Sequence, residues 1–168
     1  MANMIPISTV TVGSGGVATI SFTGIPQTYT DLMLKFSGRD GSATVRNNII
    51  IRPNGSSTSQ TIRFLFADGS SVSAANDTLI YTVGVVGANA TASTFSNVEI
   101  YIPNYGSTNN KSISMDAVTE NNATANGMQL SAALWSNTSP ISSIDMVLNG
   151  GGNFSQYSTA TLYGIRKY

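Results

Sequence analysis

The run NGGGNFSQYSTATLYGI, from Asn149 to Ile165, sets three glycines ahead of a polar-aromatic segment. Such a cluster does chemistry when its backbone amides cradle a phosphate at the start of a helix, a use that requires the spacing GxxxxGK[ST]. No Lys follows Gly150–Gly152, and the next residues are strand formers. The glycines therefore read as a hairpin connection in which Gly supplies positive φ.

The chain contains no His and no Cys. Ser-His-Asp and Cys-His nucleophiles are thereby excluded, as are thiolate and imidazole metal sites. None of the lysines sits in a Ser-Lys motif. Glu99, Asp116 and Glu120 could furnish the two carboxylates of a glycosidase if their separation were right. Their ordinary reading is as solvated strand faces and turn caps. Asp40, Asp68 and Asp77 could offer calcium ligands, but none follows the Asp-x-Asp-x-Asp-Gly pattern, and Asp-Gly is chiefly a turn dipeptide. The expectation is no catalytic residue, no metal and no cofactor. Among the aromatics, Trp135 alternates with Leu134, and Tyr101 with Ile100 and Ile102, so both are expected to face outward. With Tyr105 and Asn104 they would form a platform. That platform suits a subunit interface, where Tyr and Trp are enriched, better than a glycan.

The elements that must carry these residues are strands. Charged residues make up 10% of the 168 residues and balance to zero net charge, while hydrophobic residues make up 41%. Ser, Thr and Asn replace the missing charge at roughly a third of the chain, and they disfavour helix interiors by bonding to nearby backbone. With eight Lys+Arg spread along the sequence and no basic cluster, nucleic acid and anionic membranes are not expected partners. No apolar run is long enough for a membrane helix, and MANMIPISTV lacks the marks of a secretory leader.

Period-two alternation recurs in VATISF, DLMLKFSG, NVEIYIP, QLSAALW and SIDMVLN, and less cleanly in STVTV, RNNIIIR, IRFLF, LIYTVGVV and KSISMDAV. In QLSAALW, Leu130, Ala132 and Leu134 share one face. Turn signals such as PNGSS, ADGSS and PNYGSTNN separate the runs. The pattern predicts an all-β, antiparallel two-sheet β-sandwich of about ten strands, jelly-roll-like. Residues 8–168 form its single domain, and 1–7 a loose N-terminal arm.

Three segments carry a resemblance: GGVATISFTGIPQTYTDLMLKFSGR, FSNVEIYIPNYGSTNNKSISMDAVTENNATA and LWSNTSPISSIDMVLNGGGNFSQYSTATLYGIRKY. Together they resemble small virion structural proteins of tailed bacteriophages, especially phages of marine bacteria and cyanobacteria. The resemblance implies a jelly-roll-like sandwich on the virion surface, assembled in the host bacterial cytoplasm. It transfers no catalytic or ligand residue. The function expected from it is a non-enzymatic capsid decoration (cement) protein, trimeric, in contact with the major capsid protein or other virion proteins. Met4, Ile5, Pro6 and Ile7 of the arm are the expected contact, with Tyr101, Tyr105 and Trp135 as the interface or glycan platform. The alternative is a tail or fibre-tip protein binding host-surface glycan.

Overall fold

A computed structural model describes residues 3–122 and 127–166. Among these the chain is all-β, with twelve strands in two antiparallel sheets. They are β1 (Asn3–Thr11), β2 (Thr19–Phe22), β3 (Asp31–Gly38), β4 (Arg46–Pro53), β5 (Gln60–Ala67), β6 (Val72–Asp77), β7 (Tyr81–Val86), β8 (Ser96–Ile102), β9 (Lys111–Val118), β10 (Met128–Trp135), β11 (Ile144–Leu148) and β12 (Thr159–Arg166). The large sheet runs β1-β12-β3-β8-β9-β10-β5-β6 and the small sheet β2-β11-β4-β7.

Setting aside two hairpins, β5–β6 and β9–β10, the other eight strands pair first with last and inward from there. β1 pairs with β12, β2 with β11, β3 with β8 and β4 with β7. This is one long antiparallel ribbon, folded so that successive pairs fall in alternate sheets. The β12–β3 and β11–β4 pairings close it. Both hairpins are inserted into the ribbon and join the large sheet beyond β8, extending it by four strands.

Alternation decides the core. Leu32, Leu34 and Phe36 of β3, Val98, Ile100 and Ile102 of β8, and Ile144, Met146 and Leu148 of β11 are buried between the sheets. Phe154, fully buried, meets Phe36 edge-on with ring centroids 5.6 Å apart. Beyond the ribbon the inner face stays covered as far as β5, where Phe64 meets Tyr81 edge-on at 5.6 Å and the Arg46 guanidinium lies 4.6 Å from the Phe66 ring centroid. The last strand, β6, is exposed along its whole length.

Several sequence expectations need correction. The glycine turn does not close a hairpin, because β11 and β12 lie in different sheets. It is a crossover, pinned where Phe154 bridges both Val17 and Asp40. Gly150, Gly151 and Gly152 do adopt positive φ, at 78°, 87° and 102°. Residues 3–7 are not a loose arm, since β1 pairs with β12 from Asn3 onward. The pairing register shifts between Pro6 and Ser8, and Pro6 is tolerated because β1 is an edge strand. Finally, β10 is turned over relative to its hydrophobic pattern. Gln129, Ser131, Ala133 and Trp135 face the core, while Leu130, Ala132 and Leu134 face out.

Candidate functional site: the outer face of the inserted hairpins

The residues expected to form a platform do not come together at the surface. Tyr105 and Trp135 are fully buried core residues, and the Tyr105 hydroxyl donates to the Pro26 carbonyl. Trp135 points inward because the inner face of β10 needs a large side chain beside the small Ala133 and the polar Ser131. Tyr101 lies on the outer face, half-buried, donating to Asp31 Oδ2 at 2.9 Å. These three aromatics therefore share no surface that a sugar could stack on. Met4 and Pro6 are exposed and Ile5 and Ile7 half-buried, all within the edge strand β1.

The carboxylates are also dispersed. Glu99 and Asp116 are opposite each other on β8 and β9, but Lys35 Nζ sits 2.6 Å from Glu99 Oε1. That pairing raises the Lys35 pKa, with Asp116 adding to the same field. The depression over these two carboxylates, lined also by Tyr101, Met33 and Leu130, measures about 180 Å³, below the roughly 300 Å³ at which ligand pockets begin. Glu120 accepts from the Asn122 amide at 2.8 Å in a turn. Asp68 caps the β5–β6 turn, accepting from the amides of Ser70 and Ser71 at 2.9 and 2.7 Å, which holds its carboxyl well below the usual range. Asp40 is buried and accepts from the Ser42 amide and Asn47 Nδ2, both at 2.8 Å. No three acidic groups among the described residues are placed to hold a metal ion.

What the fold does assemble is an apolar face. The cross-strand registers of β9, β10, β5 and β6 put residues side by side in rows on the outer surface. One row reads Val118, Met128, Ala67, Val72; the next reads Asp116, Leu130, Leu65, Ala74; the third reads Ser114, Ala132, Arg63, Asn76. Val72 is 75% exposed, Leu130 61%, Met128 58%, Leu65 52% and Val118 42%. Scattered exposed apolar residues need no explanation, but a contiguous patch on a folded domain does. A groove of about 630 Å³ runs through the middle of this face between β10, β5 and β6. The rest of the outer sheet, toward β1, carries Thr9 and Thr161, which bond to each other at 3.0 Å, and the Lys35–Glu99 pair. Toward β1 the outer face is mixed, since Pro6, Tyr163, Met33 and Tyr101 also lie side by side on it, Pro6 exposed and the other three half-buried.

Sequence reasoning missed this surface for two reasons. Alternation in β10 identifies its more apolar face with the core, and here the more apolar face is outside. β6 escapes notice altogether, because a strand exposed on both sides has no alternation to read.

No family model matches the chain, and no curated protein or solved structure is similar to it. The virion, capsid and tail identity suggested by the three sequence segments therefore has no relative behind it, and we withdraw it. The segments that carried it include EIYI of β8 and TATLYGI of β12, strands with one buried face and an outer face of Glu99 and Tyr101 or of Thr159, Thr161 and Tyr163, a pattern that strand physics alone produces.

Proposed function

We propose that this chain is a non-enzymatic structural subunit that works by associating with other protein chains through the outer face of β9, β10, β5 and β6. The observation that carries the reading is the contiguous apolar surface of Leu65, Leu130, Met128, Val118 and Val72. Covering a side chain of that kind contributes about 1–2 kcal/mol, so leaving five of them in water is a cost that association removes. The core architecture is a jelly roll. First-with-last pairing of eight strands, alternating between two sheets, is what a rolled ribbon of two Greek keys produces. The two hairpins extend the core through Ile62, Ile113, Met115, Ala117, Ala133 and Trp135, and they carry the apolar face. The chemistry available to the chain points the same way, because neither imidazole nor thiol is present.

Light scattering during size-exclusion chromatography tests the reading. The wild-type chain should be multimeric at micromolar concentration, and Leu130→Asp should reduce it to monomer without changing its circular dichroism. A wild-type chain that stays monomeric at about 100 μM, weaker than most specific contacts, would overturn it.

A further inference from the structure

The outer face is close to self-complementary about one line. That line is the seam between β10 and β5. In the first row Met128 and Ala67 flank it, with Val118 and Val72 one strand further out on either side. In the second row Leu130 and Leu65 flank it, with Asp116 beyond Leu130 and Ala74 beyond Leu65. A half-turn about an axis lying along this seam, above the sheet, exchanges β10 with β5 and β9 with β6. It keeps every residue in its own row.

We infer that the occupant of this face is a second copy of the same chain, packed sheet-on-sheet about a two-fold axis along the β10–β5 seam. The inference rests on the assembly reading above and names its partner and geometry. The rotation sets Leu130 over Leu65 of the second copy, Met128 over Ala67, and Val118 over Val72. Each of these contacts occurs twice, as an isologous interface requires. Sheets stack about 10 Å apart with strands nearly aligned, so these side chains meet in the middle.

Charge supports the same axis. Arg63 and Asp116 are the charged residues of these three rows, and they lie on opposite sides of the seam. Neither forms an ion pair within the chain among the described residues. After the half-turn, Arg63 stands one strand and one row from Asp116 of the second copy, within reach of its long side chain, and the reverse pair forms by symmetry. Two copies thus match apolar to apolar and plus to minus with the same operation. Four strands spaced about 4.8 Å apart, over about seven residues, give a face of roughly 20 by 25 Å. Pairing two such faces covers about 1,000 Å², the lower limit for a specific contact.

Charge exchange tests the axis. Arg63→Asp and Asp116→Arg each place like charges together across the interface, and each should weaken the dimer about tenfold or more. The double variant Arg63→Asp/Asp116→Arg should restore it. Both side chains are exposed, so the fold, followed by circular dichroism and thermal midpoint, should be unaffected. The chain has no cysteine, which permits a second, independent measurement. Val72→Cys and Val118→Cys proteins, mixed and treated with a short bis-maleimide, should cross-link to each other far more than either does alone. A trimer, or a dimer indifferent to both charge variants with no preference for the mixed cross-link, overturns the two-fold arrangement and leaves the assembly reading standing. A monomer overturns both.

Discussion

The Lys111 ammonium lies 5.9 Å from the centroid of the Trp135 ring, and both residues are 1% exposed. A buried lysine is costly unless its three donors are satisfied. Here Nζ donates to the carbonyls of Ser107 at 2.9 Å, Asn109 at 2.5 Å and Ser139 at 3.0 Å. The ammonium thereby ties the β8–β9 loop to the β10–β11 connection at one end of the core. Lys111→Met keeps the stem but leaves those carbonyls without their donor. It should destabilise the chain by about 3 kcal/mol. Trp135 is the only tryptophan, so its fluorescence during urea unfolding reads the loss directly. Burial also lowers the Lys111 pKa. Between that lowered value and the ordinary lysine value the unfolded chain binds the extra proton, so this residue's contribution to stability rises with pH across that interval.

Arg39 holds a different loop. One terminal nitrogen donates to the carbonyls of Thr91 at 2.8 Å and Thr94 at 3.0 Å, and the other to Ala90 at 3.0 Å. A planar guanidinium can serve several carbonyls at once, and a lysine ammonium in its place cannot reach the same set. Arg39→Lys should cost about 1–2 kcal/mol and make the 88–94 segment the first site of limited proteolysis. Unchanged cleavage there would refute the assignment.

Two glycines separate backbone strain from close packing. Gly151 has φ of 87° with open space where a Cβ would stand, so Gly151→Ala should cost only the left-handed penalty of about 1 kcal/mol. A Cβ on Gly164 would instead run into the Tyr29 ring. Gly164→Ala should therefore cost about 3 kcal/mol, the upper end for overpacking. Chemical denaturation of the two variants should rank them in that order.

The Asp68 cap makes the β5–β6 hairpin sensitive to acid. Its carboxyl is held low by the Ser70 and Ser71 amides, then by the Ser70 hydroxyl. A depressed folded-state value contributes stability above the unfolded value of about 4, and that contribution is lost as pH falls through it and down to the folded value. Asp68→Ala at neutral pH should reproduce the acid effect locally, raising amide exchange in Val72–Asp77 while leaving β3 and β8 protected. Because β6 supplies Val72 to the apolar face, the same variant should weaken self-association. Protection of β6 that is unchanged in Asp68→Ala would remove the cap from this role.

Much of the ribbon is legible in the sequence, and the reasons are local. Leu32-Leu34-Phe36, Val98-Ile100-Ile102 and Ile144-Met146-Leu148 alternate cleanly because one face of each strand meets the core and the other meets polar surroundings. The reading fails where that premise fails. β10 has apolar residues on both faces, and the larger one that decides burial, Trp135, is outweighed in the pattern by Leu130 and Leu134. β6 has neither face in the core. The glycine crossover looks like a hairpin because a turn at positive φ satisfies the same local rule whether the chain doubles back beside itself or passes to the other sheet. Pairing partners are non-local, and nothing within the turn encodes them.

The first-with-last pairing sets the order in which this molecule can be made. Asn3 is held by Arg166, and Thr11 by Thr159. A chain emerging from the ribosome has β1 in hand long before its partner exists, and the same is true of β2 and β11. The hairpins β5–β6 and β9–β10 can close as soon as they emerge, because their strands are neighbours in sequence. Distant pairings slow folding and prolong exposure of open strand edges. The earliest structure to form would then be the pieces that carry the sticky face, while the sandwich that fixes their geometry comes last. A nascent chain of this design spends its most vulnerable interval with its exposed apolar face already half built.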